Sequence, residues 1–152
     1  MNEVQEKIPG MHVWLVLWKA YRAMEAIDKK SIASLGLGGI SDFALLESLL
    51  SKGAAPVNTI GKKIGLTSGS ITAAVDRAEA KKWVTRLSDP NDRRVVIIDL
   101  TEDGRRVIEE SLGKHAASLE KAATVLNAEE RVTLINLLKK IGYHAEKIGN
   151  IH

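Results

Sequence analysis

The stretch from Ile60 to Arg94 constrains this chain more than any other, because a helical apolar period runs straight into a hairpin pattern. Ile60, Ile64, Leu66, Ile71 and Val75 contain two pairs spaced by four, as one helical face requires. Leu66 sits just beyond Gly65, a residue able to take the left-handed conformation that ends a helix sharply. Gly61 is small enough for a second helix to cross closely, and Thr67 or Ser68 offers a hydroxyl to cap that helix. The pattern predicts two helices joined by a short Gly-containing turn, a helix-turn-helix. Ser68, Gly69, Ser70, Thr72 and Arg77 would lie opposite Ile71 and Val75. Small hydroxylated side chains with one arginine suit a surface that enters a DNA major groove.

Two β-prone runs follow, Val84 to Leu87 and Val95 to Leu100. Between them Ser88-Asp89-Pro90-Asn91-Asp92 is a dense turn signal, followed at once by Arg93 and Arg94. A hairpin with arginines at its tip, directly after a recognition helix, is a wing that can reach into a minor groove. Arg93, nearest the turn, is the expected minor-groove or phosphate contact. Lys62, Arg86, Asn91 and Arg94 complete the expected DNA-contacting set with Thr67. The plainer alternative is a surface hairpin with a solvated charged loop.

These segments together resemble the MarR family of winged-helix transcription regulators. The text that carries the resemblance is Ser41-Asp42-Phe43-Ala44-Leu45-Leu46-Glu47, Ile60 to Arg77, Asp89-Pro90-Asn91-Asp92-Arg93-Arg94, and Leu100-Thr101-Glu102-Asp103-Gly104. Ile60-Gly61-Lys62-Lys63 with Leu66-Thr67-Ser68-Gly69-Ser70-Ile71-Thr72 is similar to the MhqR-like branch, which responds to hydroquinones and quinones. The resemblance implies a mainly α fold: a winged helix-turn-helix with a small α/β wing, and a helical dimerisation layer from the N- and C-terminal helices. It implies a homodimeric repressor on a palindromic operator, released by a small phenolic or quinone-like ligand. It also implies that Arg94 pairs with Asp76 to fix the wing's angle, with Asp92 as a second wing-orienting carboxylate. Where relatives have Gly-Leu after the recognition helix, this chain has Lys82-Trp83. Lysine must then close the helix, and Trp83 substitutes for a core leucine.

Charge placement fits DNA. The chain carries a formal +3, yet Lys62 to Arg94 hold eight Lys or Arg against Asp76, Glu79, Asp89 and Asp92, leaving the rest at −1. A local basic patch on a near-neutral body marks a nucleic-acid footprint. A chain of 152 residues fits one domain able to bury roughly 70% of its unfolded surface without a staple. There is no cysteine, which excludes a disulfide framework and a thiol sensor. Met1 to Gly10 carry Glu3, Glu6 and Lys7 and do not read as a signal peptide. No apolar run approaches the ~20 residues of a membrane span, so a cytoplasmic location is expected.

Met11 to Ser34 read as a first helix with Met11, Trp14, Leu15, Trp18 and Arg22 on one face and Tyr21 beside it. Such a stripe fills a core or a dimer seam. Alternatively His12, Trp14, Trp18 and Tyr21, with Phe43 from the next helix, line a pocket for a flat aromatic effector. Gly36 to Gly39 form a loop, Ser41 or Asp42 caps a second helix to about Leu50 with Phe43, Leu46, Leu49 and Leu50 inward, and Pro56-Val57 add one rung to the wing. Asn58 or Thr59 opens the helix before Gly65. Thr101 caps a long helix to about Leu126. Asn127-Ala128-Glu129-Glu130 is a capping box for a last helix striped with Val132, Ile135, Leu138, Ile141 and Ala145. The whole chain, residues 1–152, then divides into a lobe at 41–100 and dimerisation helices at 11–34 and 101–148. Dimerisation matters because a two-fold pair reads half-sites about one helical turn, ~34 Å, apart.

His12, His115, His144 and His152 have no i, i+4 pairing, although His12 and His115 could meet if their helices pack; no metal or other cofactor is expected. No serine sits in a nucleophile elbow, so an enzyme has no support. The competing reading is a winged helix used for protein docking or general DNA compaction, with little sequence preference.

Overall fold

The computed structural model describes residues 8–149. The charged start with Glu3, Glu6 and Lys7, and His152 at the end, lie outside the described residues. The order is α1 (Gly10–Ser34), α2 (Ile40–Lys52), β1 (Ala55–Pro56), α3 (Val57–Lys63), α4 (Ser68–Ala80), β2 (Val84–Ser88), β3 (Val96–Leu100), α5 (Glu102–Ala123) and α6 (Ala128–Gly149). The chain divides into two compact units after Leu119, within α5.

In the first unit the core gathers where α2, α3 and α4 meet the sheet. Leu45, Leu46, Leu49, Ile60, Ile71, Val75, Ile98 and Ile108 are all buried. Leu45, absent from the expected inward set, is fully buried beside Leu46 and Leu49. The expected apolar face of the helix-turn-helix is present: Ile60, Ile71 and Val75 are buried, with Ile64 and Leu66 packed against the core. Gly65 takes φ +70°, and a Cβ on Gly61 would stand 3.1 Å from Ile71 Cγ2, so α3 and α4 cross closely enough that any added side chain would press on Ile71.

The sheet is antiparallel in the order β1-β3-β2, with Val84 opposite Leu100 and Ser88 opposite Val96. Three boundaries differ from the sequence reading, each for a local reason. The rung on β3 is Ala55–Pro56 rather than Pro56–Val57, because Pro56, with φ −58°, flanks α3 and Val57 joins that helix. The strand after the turn begins at Val96, since Val95 accepts from Asp89 N and donates to Asp92 O to close the turn. Helix α2 begins at Ile40 after Gly39, because neither Ser41 nor Asp42 serves as its cap; their side chains engage Arg77 instead.

The exit of α4 is pinned to the start of α5. Lys82 has φ +61°, the positive value that the Lys82-Trp83 departure required. Thr101 Oγ1 donates to Lys82 O at 2.7 Å and accepts from Gly104 N at 3.0 Å, while Thr101 N donates to Trp83 O. A Cβ on Gly104 would lie 1.9 Å from Trp83 O, so this crossing admits no side chain. Trp83 packs against the core, with Lys81 Nζ 4.4 Å above its ring.

In the second unit, residues 120–149, the expected capping box opens α6. Asn127 N donates to Glu130 Oε2 at 2.9 Å and Glu130 N to Asn127 Oδ1 at 3.0 Å. Arg131 braces the preceding turn, donating to Glu120, Ala123 O and Leu126 O. No residue of α6 is buried, and Val132, Ile135, Leu138 and Ile141 are all exposed.

Candidate nucleic-acid interface

The N-terminal turn of α4 is an exposed set of hydroxyls. Thr67 Oγ1 caps it, accepting from Ser70 N at 3.2 Å and donating to Ser70 Oγ at 2.9 Å. Thr72 Oγ1 donates to Ser68 O at 2.8 Å. Ser68, Gly69, Ser70 and Thr72 are exposed opposite buried Ile71, Ala74 and Val75. The bond from Thr72 leaves its oxygen as an acceptor and its methyl as an apolar contact, while Ser70 keeps its own O–H free to donate. Lys62 lies exposed in the last turn of α3.

The wing tip is ordered by its own carboxylates. Asp89 Oδ1 accepts from the backbone of Asn91 and Asp92, and Asp92 Oδ1 accepts from Arg94 N. Arg93 is exposed and has no ion-pair partner among the described residues. Two arginines depart from expectation. Arg94 pairs with Asp92 at 3.1 Å, not with Asp76. Asp76 is taken by Arg86, whose Nη2 lies 2.5 Å away and whose Nη1 bonds Glu79. Arg86, expected on DNA, thus ties β2 to α4, and the carboxylates hold its guanidinium charged more firmly than usual, Asp76 foremost. The Arg94 bond holds the Asp92 carboxyl below its ordinary range. Arg77 is likewise engaged, in a two-point grip with Asp42. Thr72, Arg86 and Arg94 share a hollow of about 480 Å³ between the start of α3, α4 and the wing, lined also by Val57, Val75 and Val96.

A hydroxylated helix terminus beside a basic wing matches proteins of known role. The MarR family model matches residues 40–96. The chain is 37% identical to the HTH-type transcriptional regulator MhqR of Bacillus subtilis, over 93% of this chain and 97% of that one. The chain belongs to the MarR family. Among solved structures, a mutant MarR from E. coli complexed with operator DNA aligns with a TM-score of 0.68 at 26% identity, covering 93% of this chain and 99% of that one. The Bordetella bronchiseptica regulator BpsR, whose DNA binding is regulated by 6-hydroxynicotinic acid, aligns with 0.68 at 28% identity, covering 86% and 98%. As a MarR-family member the protein is a DNA-binding transcriptional regulator and not an enzyme.

The aromatic set does not close on itself in the single chain of this MarR-family protein. Trp14 and Tyr21 are each 57% exposed, Trp18 is 43% exposed and His12 is exposed too. Tyr21 Oη donates to Glu25, and Arg22 stacks over Trp18 at 5.6 Å. Phe43 instead meets His115 edge-on at 5.2 Å. His115 does not meet His12. It is buried, with Nδ1 3.0 Å from Ser31 Oγ and Nε2 3.2 Å from Asp28 Oδ1, both on α1. No cluster of His, Cys, Asp or Glu fit for a metal occurs among the described residues. Sequence reasoning missed Asp42, Glu79, Asp28 and Ser31. For Asp28 and Ser31 a signal existed, since a spacing of three places both on one face of α1. Asp42 and Arg77 are 35 residues apart, and no local pattern links them.

Proposed function

We propose that the protein works as a homodimeric repressor whose two lobes occupy a palindromic operator, and that a small phenolic or quinone-like molecule releases it. The observation that carries the DNA side is the exposed turn Thr67 to Thr72, flanked by a carboxylate-ordered wing bearing Arg93. Ser68, Gly69, Ser70 and Thr72 face the bases, Lys62 and Asn91 face the backbone, and Arg93 enters the minor groove or meets a phosphate. Arg94, 91% exposed, can exchange its Asp92 partner for a phosphate, whereas Arg86 and Asp76 set the wing's angle. The dimer is supported by α1 and α6, whose exposed apolar side chains need a cover that a second copy supplies.

The effector reading rests on the likeness to MhqR, on a relative regulated by an aromatic acid, and on the exposed ring stripe of α1. With no cysteine, sensing is non-covalent: the ligand must favour the DNA-incompetent dimer, by about 5 kcal/mol to swing operator from mostly bound to mostly free. Pairing two copies would enclose Trp14, Trp18 and Tyr21 and give ring hydroxyls buried partners. Protection mapping on the protein's own promoter tests the DNA side; Arg93→Ala should lower the salt slope of binding by about one unit. Tryptophan fluorescence with phenols, quinones and salicylate, with and without that DNA, tests the effector. If none changes emission or affinity, the stripe is packing alone.

A further inference from the structure

Two sides of the Arg77 guanidinium have different surroundings. On one side Nε donates to Asp42 Oδ1 at 2.9 Å, and Nη2 donates to Asp42 Oδ2 at 2.8 Å and to Ser41 Oγ at 3.2 Å. On the other side Nη1 has no partner among the described residues, and the side chain stays 45% exposed. The Asp42 side chain is only 2% exposed. Gly38 lies over it so closely that a Cβ there would stand 3.2 Å from the carboxyl carbon. A carboxylate enclosed in this way cannot itself meet DNA. A planar fork gripped through Nε and Nη2 is fixed in orientation as well as in charge.

That grip limits what Arg77 can do. Reading guanine O6 and N7 requires two parallel donors; Asp42 holds the Nε and Nη2 pair, and Ser41 Oγ takes the second Nη2 N–H, so the Nη1–Nη2 pair is not open either. A phosphate oxygen needs one. We propose that Asp42 is a positioning residue, holding Arg77 so that Nη1 contacts a DNA phosphate and registers α4 in the groove without reading a base. This rests on the reading of α4 as the DNA-facing helix. It divides the work of α4: its first turn discriminates sequence, and Arg77 near its end supplies a sequence-blind anchor.

The sign of one substitution separates this from simpler roles. Removing a negative charge beside DNA strengthens binding if Coulomb repulsion is all that matters. Asp42→Asn should instead weaken binding by about 3- to 10-fold, because the fork loses its charged partner. In an Arg77→Ala background the same change should cost nothing. Arg77→Ala itself should lower the slope of log affinity against log salt by about 0.9, equally on a duplex selected by the wild type from a random pool and on a scrambled one. Arg77→Lys should keep the slope and lose affinity, since lysine carries the charge without the fork; it also serves if Asp42→Asn does not fold by thermal melting. Tighter binding by folded Asp42→Asn, or an unchanged slope for Arg77→Ala, overturns the proposal. A wild type with no salt-dependent DNA binding overturns the reading of α4 and the proposal with it.

Discussion

The lobe around α4 and the last helix are built from similar apolar content yet end in opposite states. In the lobe, Leu45, Leu46, Ile71, Val75 and Ile98 are sealed by neighbours from the same chain. In α6, Val132, Ile135, Leu138 and Ile141 recur at helical spacing and none is buried. The N-terminal half of α1 resembles α6 in this, with Trp14, Leu15 and Trp18 exposed. A single copy therefore completes the part that holds α4 and leaves apolar surface open on the helices outside it. Substitutions in the lobe should act on folding, and those in α6 on association.

The largest effect is expected from charging the open face. Leu138→Glu with Ile141→Glu would place four charges in the proposed two-fold seam, at a cost of at least about 4 kcal/mol, or a thousand-fold in dimer dissociation. Sedimentation velocity across a dilution series should show monomer with an unfolding midpoint close to wild type. A lowered midpoint with unchanged association would erase the distinction. Next comes the lobe: Leu46→Ala should lower unfolding free energy by about 3 kcal/mol in urea titration, through lost burial and the cavity left behind.

The exit of α4 sharpens the contrast on a smaller scale. Lys82 holds a left-handed backbone that glycine adopts freely. Lys82→Gly should stabilise the lobe by about 1 kcal/mol in the same titration, and a loss instead would mean the lysine side chain outweighs its strain. The smallest effect concerns the turn into α6. Bonding to Arg131 holds the Glu120 carboxyl below its ordinary 4.5. A carboxyl lowered by folding adds stability above the unfolded value and loses it as pH falls through the folded one. The stability gap between wild type and Arg131→Ala should therefore be full above pH 4.5 and shrink below it. The exposed position keeps the effect small. A gap independent of pH would assign the brace to the carbonyls of Ala123 and Leu126 alone.

What was legible in the sequence follows from how locally each feature is determined. The pair α3–α4 could be read because Ile60 with Ile64 and Ile71 with Val75 are each spaced by four and Gly65 marks the break between them. The Asn127 capping box could be read because both partners lie within one turn. The ion pairs could not. Arg86 and Arg94 are chemically equivalent candidates for Asp76, and the choice depends on where β2 and the wing tip bring each side chain. Asp42 looked like a helix cap because its place in the chain gives no hint of an arginine 35 residues away. The aromatic stripe of α1 was visible as a stripe, but nothing among the described residues covers it.

The most direct test of the dimeric, two-lobe reading is the stoichiometry of the protein on its own promoter fragment. Multi-angle light scattering of the purified complex, with hydroxyl-radical protection of the same duplex, gives mass and footprint together. Two chains per duplex, protecting two patches about one helical turn apart, is the predicted result. One chain per duplex with a single protected patch would contradict it.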